Sequence, residues 1–233
     1  MGISSCITQK YCNFRSMKKT AIILGATGLT GSILLDFLLN DDRYEKIKLF
    51  SRSSVGISNP KLEEHLIDLF ELENHKELFQ ADEVFCCIGT TKSKTPDNRV
   101  YRKIDYGIPF AAAKICKENN ISTFIIISAM GANPGSKVFY NKIKGEMGRD
   151  VLKQNIKNTY ILQPGLIGGN RSEIRLGESI AKFLFKILNP IIPKNYRTIP
   201  PETIAKAMVI LANQGHSKKR IENQTIKEIA KDA

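Results

Sequence analysis

The stretch from Thr20 to Gly31, TAIILGATGLTG, restricts the fold more than any other part of the chain. Ala21–Leu24 is a short apolar run of the kind that forms a buried strand. Gly25, Gly28 and Gly31 follow, and apolar residues then recur at helical spacing from Leu29 to Leu39. Strand, glycine turn and helix in that order are the setting in which a dinucleotide fingerprint works. Gly25 permits a sharp exit from the strand, and Gly28 lets the backbone approach a pyrophosphate. Gly31 lets the helix pack closely on the sheet, with its first N–H groups facing the anion. Thr27, Leu29 and Thr30 complete the expected cradle. The spacing is G-x-x-G-x-x-G, not the commoner G-x-G-x-x-G. A plain tight turn would also explain three glycines; the flanking strand and helix argue for nucleotide binding.

Beyond this unit, strand-like and helix-like runs alternate. Strands are expected at Lys46–Phe50, His65–Ile67, Glu83–Cys87, Thr123–Ile127 and Thr159–Gln163. Helices are expected from Asp68 through Leu78, from Ile104 to about Asn119, around Tyr140 and Lys144, over Ile180–Leu188 and over Glu202–Ala212. Residues 92–99 read as a loop, and the tail from Lys218 as a strand-like run and a charged helical end. This pattern predicts an α/β fold, a doubly wound, mainly parallel sheet with helices on both faces. At 233 residues the chain fits one domain, taken as 17–233, with segments at about 165–201 covering the substrate side. Residues 1–16 lack the apolar core of a signal peptide. Cys6 stands where a myristoylation start requires Ser or Thr. They read as a disordered extension or an over-extended start before Met17.

A net charge of +12 raises the question of nucleic acid. Lys10, Arg15, Lys18 and Lys19, with no acid among them, supply part of it, and the rest is scattered without aromatic interleaving. Nucleic acid is therefore not an expected partner. No apolar run is long enough to span a bilayer. The cysteines, Cys6, Cys12, Cys86, Cys87 and Cys116, are odd in number and form no Cys-x-x-Cys, while His65, His75 and His216 stand alone. No disulfide or metal site is expected, and the compartment should be reducing, read as the cytoplasm.

The strand ends carry the remaining chemistry. After Phe50 come Ser51, Arg52, Ser53 and Ser54, with no Asp or Glu between Lys46 and Lys61. An acid at this tip would accept from a ribose 2′-OH, whereas a base accommodates a 2′-phosphate. Arg52 offers a planar fork of donors suited to phosphate, so NADP(H) is favoured over NAD(H). Asp68, followed by Leu69, either accepts from the adenine amino group or caps the next helix. The small residues after Cys87 (Ile88, Gly89, Thr90) allow the backbone to approach the cofactor. Ser128 ends the most hydrophobic strand, and Tyr140 and Lys144 follow at a four-residue spacing that puts both on one helix face. The lysine charge is expected to lower the tyrosine pKa from its usual ~10. A tyrosine so tuned exchanges a proton with a carbonyl oxygen that Ser128 also holds.

Read together, Gly25–Gly31, Ser128, Tyr140 and Lys144 resemble the atypical short-chain dehydrogenases/reductases. Over about residues 18–212 the closer resemblance is to the Tat-interacting-protein branch and its NAD(P)H-binding, epimerase-like bacterial relatives. The segments that carry it are Cys86-Cys87-Ile88-Gly89-Thr90-Thr91, Lys144-Gly145-Glu146, Pro164-Gly165 and the Arg171, Glu173, Arg175, Gly177, Glu178 run. The resemblance implies a Rossmann sheet, bound NADP(H), catalytic Ser128, Tyr140 and Lys144, and Pro164, Gly165 and Leu166 beside the nicotinamide. It implies reduction of a carbonyl compound, or the reverse oxidation of an alcohol, by a monomer or homodimer. Two other functions compete: a non-catalytic NADP(H)-binding regulator and a sugar-nucleotide epimerase. Ala129-Met130 follows the serine where animal members carry a second serine, and Gln163 replaces a frequent arginine. Asp105 lies nearest the place of the asparagine that many reductases use in proton relay.

Overall fold

Alternation along β1 (Lys19–Leu24) divides the interior in two: Ala21 and Ile23 enter one apolar cluster, Ile22 and Leu24 the other. The computed structural model describes residues 18–168 and 198–231. After β1 come α1 (Leu29–Leu39), β2 (Tyr44–Ser51), β3 (Leu62–Leu66), a 3-10 segment (Leu69–His75) and β4 (Glu83–Cys86). Then follow α2 (Asn98–Arg102), a π turn (Lys103–Gly107), α3 (Ile108–Glu118), β5 (Thr123–Ile127), α4 (Phe139–Leu152) and β6 (Asn158–Gln163). The described chain ends with α5 (Pro201–Gln214), β7 (Arg220–Glu222) and α6 (Asn223–Ile229).

The strands form one seven-stranded sheet in the order β3-β2-β1-β4-β5-β6-β7, and every neighbouring pair is parallel. Leu34 and Leu38 of α1, Met208 of α5 and Ile226 of α6 cover one face. Leu72, Ala112 of α3, and Met147 and Val151 of α4 cover the other. A parallel sheet covered on both sides needs strands that are apolar throughout, which is why β5 reads TFIII and is buried along its whole length. The strand order reverses between β1 and β4, so the turns leaving these two strands flank a crevice at their carboxyl ends. In open α/β sheets that crevice is where ligands bind. No helix among the described residues is long and apolar enough to cross a membrane.

At the opposite edge of the sheet, a polar cluster ties four elements together. Tyr44 donates to the buried Glu83 carboxylate at 2.5 Å, and Lys19 pairs with the same group. Lys19 also donates to Asn213 of α5 at 3.1 Å, and Asn213 in turn donates to the Val209 carbonyl at 2.8 Å. Burial, together with Glu83, pushes the Tyr44 phenol well above its ordinary pKa.

Several elements differ from expectation. β3 starts three residues earlier than His65 because Leu62–Leu66 aligns with Ile47–Ser51. The helix expected through Leu78 is a 3-10 segment that ends at His75. The loop expected over residues 92–99 gives way to α2 at Asn98, where the Asp97 carboxylate caps the N–H groups of Arg99 and Val100. The single helix expected from Ile104 is thus longer and is interrupted by the π turn. Residues 1–16, the Ile180–Leu188 helix and the Arg171–Glu178 run lie outside the described residues.

Candidate active site

The first wall of the crevice is the glycine turn between β1 and α1. Gly25 has φ +86°, a left-handed conformation that glycine adopts without strain, and a Cβ there would stand 3.0 Å from the Cys87 carbonyl carbon. A Cβ on Gly31 would lie 2.1 Å from the Gly25 oxygen, so only glycine lets the helix start this close to the turn. Gly28 is the N-cap of α1; it provides no side-chain acceptor, and the first turn holds no acid. The first N–H groups of α1 therefore keep their donors for an anion. A pyrophosphate fits this cradle on shape and charge.

The second wall is the loop after β4, tied back by the Cys87 N–H, which donates to the Leu24 oxygen at 2.8 Å. Burial pushes the Cys86 thiol up to about 12 and raises Cys87 too, so both are packing groups and not nucleophiles. Ile88 is half-buried against the core, Gly89 is exposed, and the Thr90 hydroxyl bonds that of Thr95 at 2.9 Å.

Arg52 follows directly on the end of β2, exposed, and makes no hydrogen bond or ion pair among the described residues. An acid outside the window of sequence that pointed to Arg52 does reach this loop. Glu64 on β3 accepts from the Ser54 hydroxyl at 2.6 Å and the Val55 N–H at 2.8 Å. Its carboxylate is occupied in holding the loop. Asp68 accepts from the Phe70 N–H at 2.9 Å, which is the capping alternative, and Leu69 is buried in the core.

The third group gathers on β5, α4 and the π turn. The Ser128 N–H donates to the Leu162 oxygen at 2.7 Å, while its buried hydroxyl points to the Lys144 carbonyl oxygen over a long 3.5 Å. Lys144 is buried, and its ammonium lies 2.8 Å from the Asp105 carboxylate. Asp105 has no exposed surface, and its other oxygen accepts the Thr90 N–H at 2.8 Å. A Cβ on Gly89 would stand 3.6 Å from the lysine nitrogen and 3.7 Å from Asp105, so the glycine roofs the pair without blocking it. Tyr140 is 39% exposed, and no hydrogen bond joins its hydroxyl to Ser128 or Lys144. Gly145 sets the height of α4, since a Cβ there would be 2.2 Å from the Asn133 carbonyl carbon.

The electrostatics correct one expectation. Burial raises the Tyr140 pKa; Lys144 pulls it down, Asp105 pushes it up, and the net shift is upward. Burial works to lower the Lys144 pKa, but Asp105 and Tyr140 outweigh it and the lysine stays charged. In sequence Asp105 lies nearest the place of a proton-relay asparagine; in the structure it pairs with Lys144. The π turn that turns it inward left no signal in the sequence.

Pro164 is buried, with its carbonyl accepting the Met130 N–H at 2.9 Å. The Gly165 N–H donates to Asn223 at 2.9 Å, a buried residue at the start of α6 that no motif singled out. Leu166 is exposed, and its carbonyl accepts the Ile199 N–H at 3.0 Å.

No family model matches the chain. Among curated proteins, the chain is 32% identical over 169 residues to "Protein FMP52, mitochondrial" of Candida albicans, covering 70% of this chain and 74% of that protein. It is 27% identical over 227 residues to "Protein HTATIP2" of Rattus norvegicus, covering 95% and 93%. Among solved structures, UDP-glucose 4-epimerase from Thermotoga maritima matches with a TM-score of 0.66 at 15% identity, over 91% of this chain and 82% of that one. The Bordetella bronchiseptica enzyme WbmG in complex with NAD matches with a TM-score of 0.67 at 13% identity, over 94% and 78%. At such identities the structures speak to a Rossmann-like fold alone. The mitochondrial names of the FMP52 proteins overturn the cytoplasmic expectation.

Proposed function

From the premise that the chain belongs to the family of the FMP52 proteins and HTATIP2, we propose that it is an NADP(H)-dependent oxidoreductase that reduces a carbonyl compound. The observation that carries this reading is the meeting of two features at one sheet edge. A glycine cradle open to a pyrophosphate leaves β1, and a lysine buried beneath Gly89 shares a helix face with Tyr140. The dinucleotide, when bound, supplies a hydride to the carbonyl carbon. The π electrons of the C=O bond move to its oxygen, and that oxygen takes the proton of the Tyr140 hydroxyl. The roles proposed for this chain's residues are distinct. Gly25, Gly28, Gly31 and the first turn of α1 hold the phosphates. Arg52 meets a 2′-phosphate, Lys144 supports the ribose side, and Pro164 to Leu166 border the nicotinamide. Ser128 holds the substrate oxygen after its hydroxyl turns from the Lys144 carbonyl, a contact already long at 3.5 Å.

Titration with NADPH and NADH, followed by a panel of carbonyl compounds monitored through NADPH absorbance, tests this reading. Tighter binding of NADPH and turnover of a panel member, lost in Tyr140→Phe, are expected; full activity in that variant overturns it. A second reading, an NADP(H)-binding regulator without turnover, is favoured by the inward-turned Ser128 and by the Tyr140 hydroxyl, which makes no hydrogen bond among the described residues. Tight NADPH binding with no turnover across the panel would select it. The names of the FMP52 relatives support mitochondria as the compartment, which fractionation of cells making the full chain would check.

A further inference from the structure

The segment from Asn98 to Glu118 would be a continuous helix but for the π turn at Lys103–Gly107. Such turns inside helices frequently mark functional sites. Here the turn carries a carboxylate that has no exposed surface. One oxygen of Asp105 accepts the Thr90 N–H at 2.8 Å. The other lies 2.8 Å from the Lys144 ammonium, but no aligned hydrogen bond satisfies it. Buried ion pairs are weak devices for stability, since desolvation consumes most of their attraction. This one sits under the exposed Gly89, next to the proton-bearing tyrosine, where its charge acts on that tyrosine.

We propose that Asp105 is a positioning residue for proton transfer: by pairing with Lys144 it offsets the pull of that ammonium on the Tyr140 hydroxyl and so, together with burial, holds Tyr140 as a proton donor near neutral pH. The proposal rests on the oxidoreductase reading above. An uncompensated ammonium within 4–6 Å typically lowers the pKa of an acid by about 1–3 units. Without Asp105, burial alone would oppose the pull of Lys144, and Tyr140 would lie closer to tyrosinate, the form that abstracts a proton from an alcohol. With Asp105 in place the two charges oppose each other at the phenol. In reduction the carbonyl oxygen takes the Tyr140 proton, and water restores it to the tyrosinate left behind. In the reverse reaction tyrosinate must form first, so alcohol oxidation is favoured only at higher pH.

The surrounding charges leave this balance to Lys144 and Asp105. Tyr101 of α2 is buried beside both Asp105 and Tyr140, and burial raises its own pKa, so it is neutral. Cys86 at the end of β4 is neutral for the same reason. Lys92 stands 4.7 Å over the Phe139 ring and is held by the Pro96 carbonyl and Asn98. On α4 itself, Glu146 is paired with Arg102, and Asp150 with Arg149 and Lys153. Lys103 of the π turn lies over the Phe70 ring, and Lys114 of α3 pairs with Glu73. Lys137 and Lys142 are exposed to solvent.

The test titrates Tyr140 in the full chain by NMR of ring-labelled tyrosine, with the signal assigned from its loss in Tyr140→Phe. Asp105→Asn, which keeps the shape and an acceptor for Thr90, should lower the Tyr140 pKa by about 1–3 units. Lys144→Met should raise it, and the double variant should return it to within about half a unit of the wild type, because both opposing charges are gone. An unchanged or raised value in Asp105→Asn overturns the proposal. If that variant does not fold, the comparison moves to Lys144→Met with and without Asp105→Asn, a pair in which equal values overturn it. None of these readings needs turnover. Failure of the carbonyl panel together with the predicted titrations would sink the oxidoreductase reading and leave only the effect of Asp105 on the Tyr140 titration. Where a substrate is turned over, the alkaline limb of kcat for reduction should move down in Asp105→Asn by the same shift. A purely structural role would lower kcat without moving that limb.

Discussion

Replacing Gly145 by alanine should destabilise the protein, although alanine is the better helix former. In an exposed helix interior the exchange gains up to ~1 kcal/mol. At Gly145 the new Cβ would meet main-chain atoms at 2.2, 2.4 and 2.6 Å, the Asn133 carbonyl carbon, the Pro134 nitrogen and the Asn133 Cα. None of these can rotate away, so α4 or the loop must move by about 1 Å, and overpacking of this kind costs typically ~1–3 kcal/mol. With the contact at the severe end and the propensity gain deducted, the net loss is roughly 2 kcal/mol, a fall in Tm of about 4–8 °C for a chain of this size. Gly148, one turn on, is the control. A Cβ there meets only ends of side chains, Arg220 Nη1 at 3.2 Å and Ile161 Cδ1 at 3.3 Å, which can yield. Gly148→Ala should therefore melt within about 3 °C of the wild type. Thermal melts of the two variants, with NADPH titrations beside them, decide the matter. Gly145→Ala should also bind NADPH more weakly, because it moves the helix that carries Lys144. If it melts at or above Gly148→Ala, the close approach of the Asn133–Pro134 segment to α4 is wrong.

Arg52→Ala should erase most of the preference for NADPH over NADH in binding titrations; an unchanged ratio would remove Arg52 from the 2′-phosphate. Tyr44→Phe takes a donor from the buried Glu83 carboxylate and should cost about 1–3 kcal/mol in denaturant unfolding, with NADPH affinity unaffected because the cluster lies at the far edge of the sheet. Hydrogen bonding from Arg149, against a smaller opposing effect of burial, holds the Asp150 pKa down to about 2 from 3.8. Its contribution to stability is therefore present above pH ~4 and lost as the pH falls through ~2, and Asp150→Asn should flatten the acid limb of the stability curve there. A chain beginning at Met17 should keep its Tm and NADPH affinity; a loss of several degrees would show that residues 1–16 pack on the domain.

The parts of the fold legible in the sequence are those where one physical demand dominates. β5 was placed to the residue because a strand buried on both faces must be apolar throughout, and TFIII is. The glycine turn was legible because three glycines stand between a strand and a helix, and two of them, Gly25 and Gly31, serve a conformation or a contact that a Cβ does not permit. β3 was misplaced because LEEHL is an edge strand of half-buried and charged residues, whose register comes from pairing with β2 and not from its own pattern. The π turn was invisible for a related reason. An extra residue in a helix leaves no mark on composition and changes only which face a side chain takes, and here that side chain is Asp105. The fall expected in the Tyr140 pKa failed first on burial and then on the same residue: spacing pairs Tyr140 with Lys144, but nothing local in sequence announces the burial or the carboxylate that oppose it.

The two edges of the sheet treat polar groups in opposite ways, and that contrast separates scaffold from site. Buried polar groups in folded proteins are nearly always partnered. At the amino edge the rule is met within the chain, where Glu83 receives Tyr44 and Lys19, and Asn213 takes Lys19 and gives to Val209. A cluster so closed has no capacity left for a ligand, and its removal should be felt in stability alone. At the carboxyl edge the first turn of α1 has no side-chain cap, Arg52 has no partner among the described residues, and one oxygen of Asp105 faces an ammonium without an aligned hydrogen bond. Of these, the Asp105 oxygen is closed off from water, while Arg52 and the first turn of α1 keep donors open to a ligand. They fall along the crevice where the strand order reverses. Substitution of the exposed Arg52 at this edge should therefore separate from those at the other: ligand affinity should change while the melting temperature stays near that of the wild type.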